Sequence, residues 1–156
     1  VRNPLNRVLS CYLNKFVNKD VESNEYQVYL GQLYGWKYLK DHPLFKSEPK
    51  PSFDEFIQAI MMQDPHQMNE HWAIQSYICG FGVIPYDFIG RFENMSTDSA
   101  YVLNSIGKFM EHFPSQSEIQ FAAFEASKQM KKYYREELED KVRLIYATDF
   151  ENLNYE

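Results

Sequence analysis

Arg2, Arg7 and Ser10 stand within the first ten residues, in the run Val1-Arg2-Asn3-Pro4-Leu5-Asn6-Arg7-Val8-Leu9-Ser10. Their types suit one task, the holding of an anion. Arginine grips a phosphate through a planar, two-pronged fork of N–H donors. Asn3-Pro4 reads as a helix start, with a side-chain oxygen at the N-cap and a proline where a missing N–H costs nothing. Leu5, Val8, Leu9, Tyr12 and Phe16 follow at three- and four-residue spacing, which predicts one apolar face on a helix from Pro4 to about Asn18. Arg2 lies just before that helix, and Arg7 and Ser10 lie three apart on its more polar side. The open N–H groups of a first helical turn and the positive end of its dipole add to the pull on an anion. These residues predict an anion site without naming the anion.

His71 is the second candidate for chemistry, in Asn69-Glu70-His71-Trp72. An unperturbed histidine titrates near neutrality, so His71 can act as a base, bind a hydroxyl or orient a loop. A structural histidine hydrogen-bonded beside Trp72 is the other reading. Trp72 itself is either a sugar-stacking surface or a core residue. Lys128, Lys131, Lys132 and Arg135 make one helix end basic, which fits either an anion-facing patch or a solvated end complementing the helix dipole. Cys11 and Cys79 do not form a metal set, and no metal is expected. Cys11 falls beside an apolar helix face, where a buried thiol is expected, and pairing of the two cysteines stays open.

The elements that must position these groups are mostly helical. Tyr26–Leu39 reads as a second helix with Gly31 and Gly35 as weak points. His42–Pro51 carries three prolines and reads as an exposed loop, either a substrate entrance or a plain connector. Ser52 and Glu55 form a capping box ahead of Phe53, Phe56, Ile57, Ile60 and Met61, a helix expected to end near Gln63. Phe88–Phe92 reads as a central parallel strand. The helix expected over Asp98–Phe109 turns Tyr101, Val102, Leu103, Ile106, Phe109 and Met110 to the core. Ser115–Tyr134 and Glu136–Tyr146 read as two further helices. With 156 residues, 44% hydrophobic and 17% aromatic, one packed domain over 1–156 is expected. The formal net charge of −6 argues against general nucleic-acid binding. No apolar run reaches the length of a membrane span. Asn94-Met95-Ser96 is a glycosylation sequon, usable in a secretory lumen.

Four segments, in order, carry a family resemblance. Arg2-x-Pro4 through Arg7-x-x-Ser10-x-Tyr12 resembles the 3′-phosphate segment of sulfotransferases that use PAPS (3′-phosphoadenosine 5′-phosphosulfate). Asn69–Gln75 is similar to the Asn-x-His-Trp-x-Pro-Gln segment of Golgi carbohydrate sulfotransferases, with Ile74 in place of the proline. Tyr86–Glu93 resembles their Tyr-Asp-Phe-(Ile/Val)-Gly-x-(Phe/Tyr)-Glu strand. Tyr146–Tyr155 resembles their closing Tyr-x-x-Asp-Phe-x-x-(Phe/Leu)-x-Tyr. Cys79 matches the first cysteine of a family pair, and Gly82 stands at the second.

The chondroitin 4-O-sulfotransferase group of sulfotransferase family 2 is the nearest in pattern. The resemblance implies an α/β, P-loop-like sulfotransferase fold, helix-rich, with a small parallel sheet. It implies transfer of a sulfonyl group from PAPS to a carbohydrate hydroxyl, with glycosaminoglycans among the acceptors. It places the 3′-phosphate at Arg2 and Ser10, with Arg7 adjoining and Phe92 near the adenine, and leaves His71 as the candidate catalytic residue. The family's 5′-phosphosulfate loop would lie before Val1, making the chain the C-terminal portion of a catalytic domain. A Golgi lumen and a type II membrane anchor are implied for the full length, or the cytoplasm in a prokaryote. Two rival readings are a non-catalytic nucleotide- or glycan-binding protein that keeps this fold, and an unrelated all-helical interaction domain.

Overall fold

The structure is a computed structural model that describes residues 1–35, 50–109 and 123–156. Helix α1 spans Pro4–Tyr12 and continues as a single π-helical stretch, Leu13–Val17. Asn3 caps it as expected: its Oδ1 accepts from the N–H groups of Leu5 at 3.0 Å and Asn6 at 3.3 Å. The π stretch inserts an extra residue into the helical ladder and Phe16, within it, is fully buried. Phe16 meets Phe56 at 5.2 Å, Tyr26 at 6.1 Å and Trp72 at 6.2 Å between ring centroids. Tilted and edge-on pairs of this kind add to the burial of their apolar area.

Helix α2 spans Asn24–Tyr34, capped by Ser23 and closed by Gly35 at φ 81°, a conformation that suits glycine. Residues 36–39 of the helix expected there lie outside the described residues, as does most of the proline-rich loop. Helix α3 spans Phe53–Met61, and its Ser52–Glu55 capping box is formed in both directions. A short helix α4 spans Gln75–Ile78, and a 3₁₀ turn at Phe92–Asn94 leads into α5, Met95–Ser105. Helix α6 spans Ala123–Tyr133, α7 spans Glu136–Ile145 and α8 spans Ala147–Asn152.

The core lies where α1 crosses α6, α3 and α7 and where α2 meets α3. Its largest fully buried side chains are Trp72, Tyr26, Tyr146, Phe16 and Phe56. Trp72 is therefore a core residue and not a stacking surface. Its indole Nε1 donates to Gln63 Oε1 at 2.9 Å, satisfying the one polar atom it buries. The Tyr146 hydroxyl donates to the Trp72 carbonyl at 2.5 Å.

Two expectations are corrected. Phe88–Phe92 is not a strand: among the described residues no strand forms, and the only bridge in the ladder pattern joins Phe81 to Ile84. A strand exists only through its neighbour's hydrogen bonds, and among the described residues only Val1 supplies them beside 88–92. The Val1 amine donates to the Gly90 carbonyl at 2.7 Å, and Phe92 N–H donates to the Val1 carbonyl at 2.7 Å. The second correction concerns α5. It begins at Met95, three residues earlier than expected, and turns no residue into the core. Ile106 and Phe109 just beyond it are 66% and 73% exposed. Its apolar periodicity is real, but among the described residues it packs against the 3₁₀ turn and the 88–91 segment, with Tyr101 4.8 Å from Phe88 between ring centroids. Met110 lies outside the described residues.

Candidate functional site

The residues ahead of α1 are held from three sides, and a cavity opens beside them. The Arg2 N–H donates to Gln75 Oε1 at 2.9 Å, and Gln75 Nε2 donates to the Arg2 carbonyl at 2.8 Å. Asn3 N–H donates to Glu93 Oε1 at 2.8 Å, and the Tyr155 hydroxyl holds the other Glu93 oxygen at 2.9 Å. Val1 is fixed by the 90–92 segment, as above. Arg91 secures that segment to the chain's end: its Nη2 donates to the carbonyls of Leu153 and Asn154, both at 3.0 Å, and its guanidinium lies over the Tyr155 ring.

The cavity has a volume of about 650 Å³, the size of many small-molecule sites. Arg2, Arg7, Gln75, Phe88, Phe92 and Ser99 are among its walls. The Arg2 guanidinium sits 4.7 Å from the centroid of the Phe92 ring. Burial pulls the Arg2 group below its ordinary pKa, the Glu93 carboxylate works in the opposite sense, and Arg7 adds to the lowering. Arginine remains charged through such shifts. A partly desolvated cation with a second cation nearby favours an anionic occupant.

Three of the four residues expected to bind a nucleotide, Arg2, Arg7 and Phe92, thus line one cavity. Ser10 is not among its walls; it lies half-buried on α1, one turn beyond Arg7. Arg7 also has a tie of its own: Nη1 donates to the Ala73 carbonyl at 2.5 Å and Nη2 to the Glu70 carbonyl at 2.8 Å. Phe92 opens a 3₁₀ turn instead of ending a strand.

His71 stands apart from this cavity, against α2. Its Nε2 lies 3.3 Å from the Tyr29 hydroxyl, which also accepts from Lys15 Nζ at 2.9 Å. Desolvation by burial, followed by the positive charge of Lys15, holds the imidazole below its ordinary pKa. Cys11 and Cys79 are both free; burial pushes the Cys11 thiol up to about 12, where it stays protonated and inert. Of the basic helix end, Arg135 pairs with Asp54 at 2.6 Å and Lys132 lies over the Tyr133 ring. Among the described residues no group of three or more His, Cys, Asp or Glu converges on a metal-sized point. No described helix is long and apolar enough to cross a membrane.

Two residues with no role in the sequence reading, Gln75 and Asp149, join the site from a distance. Asp149 is fully buried and accepts from Gln75 N–H at 2.8 Å, Ser76 N–H at 2.7 Å and Ser76 Oγ at 2.8 Å. An acid at the start of a short helix near the C-terminus, and an amide 73 positions after Arg2, give no local pattern that pairs them.

A pocket with two guanidinium groups and two phenyl rings, at the head of a capped helix, has the side-chain chemistry to hold an anion beside an aromatic ring. The whole chain, residues 1–156, matches the model of the sulfotransferase family. The chain belongs to that family, which sets aside the reading as an unrelated helical interaction domain. It is 35% identical over 107 residues to zebrafish (Danio rerio) carbohydrate sulfotransferase 14, covering 69% of this chain and 29% of that protein. It is 30% identical over 162 residues to human (Homo sapiens) carbohydrate sulfotransferase 9, covering 99% of this chain and 35% of the relative. With rat (Rattus norvegicus) carbohydrate sulfotransferase 11 the identity is 27% over 167 residues, covering 99% and 45%. The chain therefore spans less than half the length of these relatives. No solved structure gives a significant match.

Proposed function

We propose that this chain is part of a carbohydrate sulfotransferase that moves a sulfonyl group from PAPS to a sugar hydroxyl. The observation that carries the proposal is the cavity that joins Arg2 to Phe92 at the head of α1, in a chain that matches the sulfotransferase family from end to end. Arg2 takes the 3′-phosphate of the nucleotide, with Arg7 adding positive field from the same wall. Phe92 offers a ring face to the adenine. Ser10 belongs to the same motif and supplies a hydroxyl from the adjoining turn of α1. PAPS supplies the activated sulfonyl group; these residues bind and orient its nucleotide half and keep water from it.

Support for the rest of the fold comes from Val1. Its amine bonds the carbonyl of Gly90, and its carbonyl accepts from the N–H of Phe92. Residue 1 thus brackets residue 91 in the hydrogen-bond pattern of a parallel pair. Phe88–Phe92 becomes a strand of the family's parallel sheet when residues before Val1 continue that pairing. The 5′-phosphosulfate loop belongs to the same preceding sequence, consistent with the shortness of the chain beside its relatives. A glycosaminoglycan acceptor, a Golgi lumen and a type II anchor complete the proposal; they rest on the motif resemblance, with the exposed sequon asparagine Asn94 compatible with a lumen. The test is a transfer assay with the full-length protein, labelled PAPS and desulfated glycans. Label on at least one glycan is expected. No transfer to any glycan, together with no nucleotide binding, overturns the proposal.

A further inference from the structure

We infer that Gln75 is the positioning residue for Arg2, and that Asp149 locks Gln75 in the orientation this requires; the inference rests on the reading of Arg2 as the 3′-phosphate grip. Arg2 belongs to no helix or strand, so no regular ladder satisfies its main chain. Gln75 does so with one side chain. Its Oε1 accepts the Arg2 N–H at 2.9 Å and its Nε2 donates to the Arg2 carbonyl at 2.8 Å. Only one flip of the amide makes both bonds.

Asp149 supplies a reason for that flip. It is fully buried on α8, and as a carboxylate it offers acceptors and no donor. Oδ2 accepts the Gln75 N–H at 2.8 Å and lies 3.5 Å from Gln75 Nε2; Oδ1 takes both the N–H and the hydroxyl of Ser76, at 2.7 and 2.8 Å. A flipped amide would turn Oε1 toward this carboxylate and toward the Arg2 carbonyl, placing acceptor against acceptor. The buried acid thus fixes the amide, and the amide fixes the peptide groups on both sides of the Arg2 Cα. The neighbours leave little slack, since Asn3 is held by Glu93 and Val1 by Gly90 and Phe92. The Arg2 guanidinium lies over Phe92. Preorganisation of this kind lowers the ordering cost of gripping a ligand. It raises affinity for the group Arg2 touches and for no other part of the nucleotide.

Calorimetric titration of the full chain with adenosine 3′,5′-bisphosphate and with adenosine 5′-monophosphate separates this role from a structural one. Gln75→Met keeps the length of the side chain and removes both hydrogen bonds to Arg2. It is expected to lower affinity for the bisphosphate by about tenfold, the scale of one or two lost hydrogen bonds. Affinity for the monophosphate should stay as in the wild type. Should Gln75→Met lose its native near-ultraviolet spectrum, Gln75→Asn, which draws the amide back from Arg2 by one methylene and adds no charge, is judged by the same ratio. A wild-type preference for the bisphosphate that the variant retains, or a parallel loss of both affinities, overturns the inference alone. A wild type that binds both nucleotides equally overturns the reading of Arg2 and the inference with it.

Discussion

Arg7 ties down the loop that carries His71, and the two residues have different partners. Arg7 donates to the carbonyls of Glu70 and Ala73, so the head of α1 holds the peptide that carries His71. His71 in turn lies beside Tyr29 with Lys15 close by. Desolvation and the Lys15 charge both penalise the imidazolium, which places the folded-state pKa below the ordinary value of 6.5. The unfolded chain therefore takes up the proton first as pH falls. The stability tied to the neutral ring is complete above the ordinary value and is lost as pH drops from there toward the depressed one. A proton NMR titration of the His71 ring should give a midpoint below 6.5; a midpoint at or above it contradicts the packing described here. The residue types of the site were legible in the sequence, because Arg2, Asn3, Pro4 and Arg7 sit within six consecutive residues. The role of Gln75 was not, because its partners are the main chain of Arg2 and a carboxylate on the last helix. Sequence shows a side chain's type and its local spacing, and neither reveals a bond to a distant peptide group.

At the level of elements, the helices whose signals are local came out where the sequence puts them. Asn3 with Pro4, and Ser52 with Glu55, mark their starts through side-chain contacts spanning two or three residues. Asn3→Ala removes the acceptor for two N–H groups of α1 and should cost about 1 kcal/mol in urea unfolding, within the usual range of N-cap losses. Asn3→Asp, which keeps an acceptor, should recover most of it; an alanine variant as stable as wild type would show that the cap does not hold α1. The elements that failed to match depend on partners. Phe88–Phe92 has strand composition, but only Val1 pairs with it. Helix α5 has an apolar stripe, but none of its residues is buried; its leading turn and the 88–91 segment pack against it. The π-helical stretch at Leu13–Val17 has no signature either, since the insertion is driven by the seating of Phe16 among Phe56, Tyr26 and Trp72.

Across the whole molecule, the packing is uneven. One side is an aromatic core built by α1, α2, α3, α6 and α7, the kind of interior where truncating a buried ring costs about 3–5 kcal/mol. The other side carries Val83, Ile84, Phe88, Ile89, Tyr101 and Ile106 in partial or full exposure. The candidate nucleotide cavity lies on the boundary between the two sides, with Arg2 and Arg7 on one wall and Phe88, Val102 and Leu103 on another.

The most direct measurement is the affinity of the full chain for adenosine 3′,5′-bisphosphate against adenosine 5′-monophosphate, in wild type and in Arg2→Ala. A hydrogen-bonded ion pair at this depth is worth roughly 1.5–3 kcal/mol, so the bisphosphate should bind about ten- to a hundredfold more tightly in wild type. Arg2→Ala should abolish that margin and leave the monophosphate unaffected. Equal affinities in wild type, or a margin that survives the loss of Arg2, would contradict a 3′-phosphate site at the head of α1.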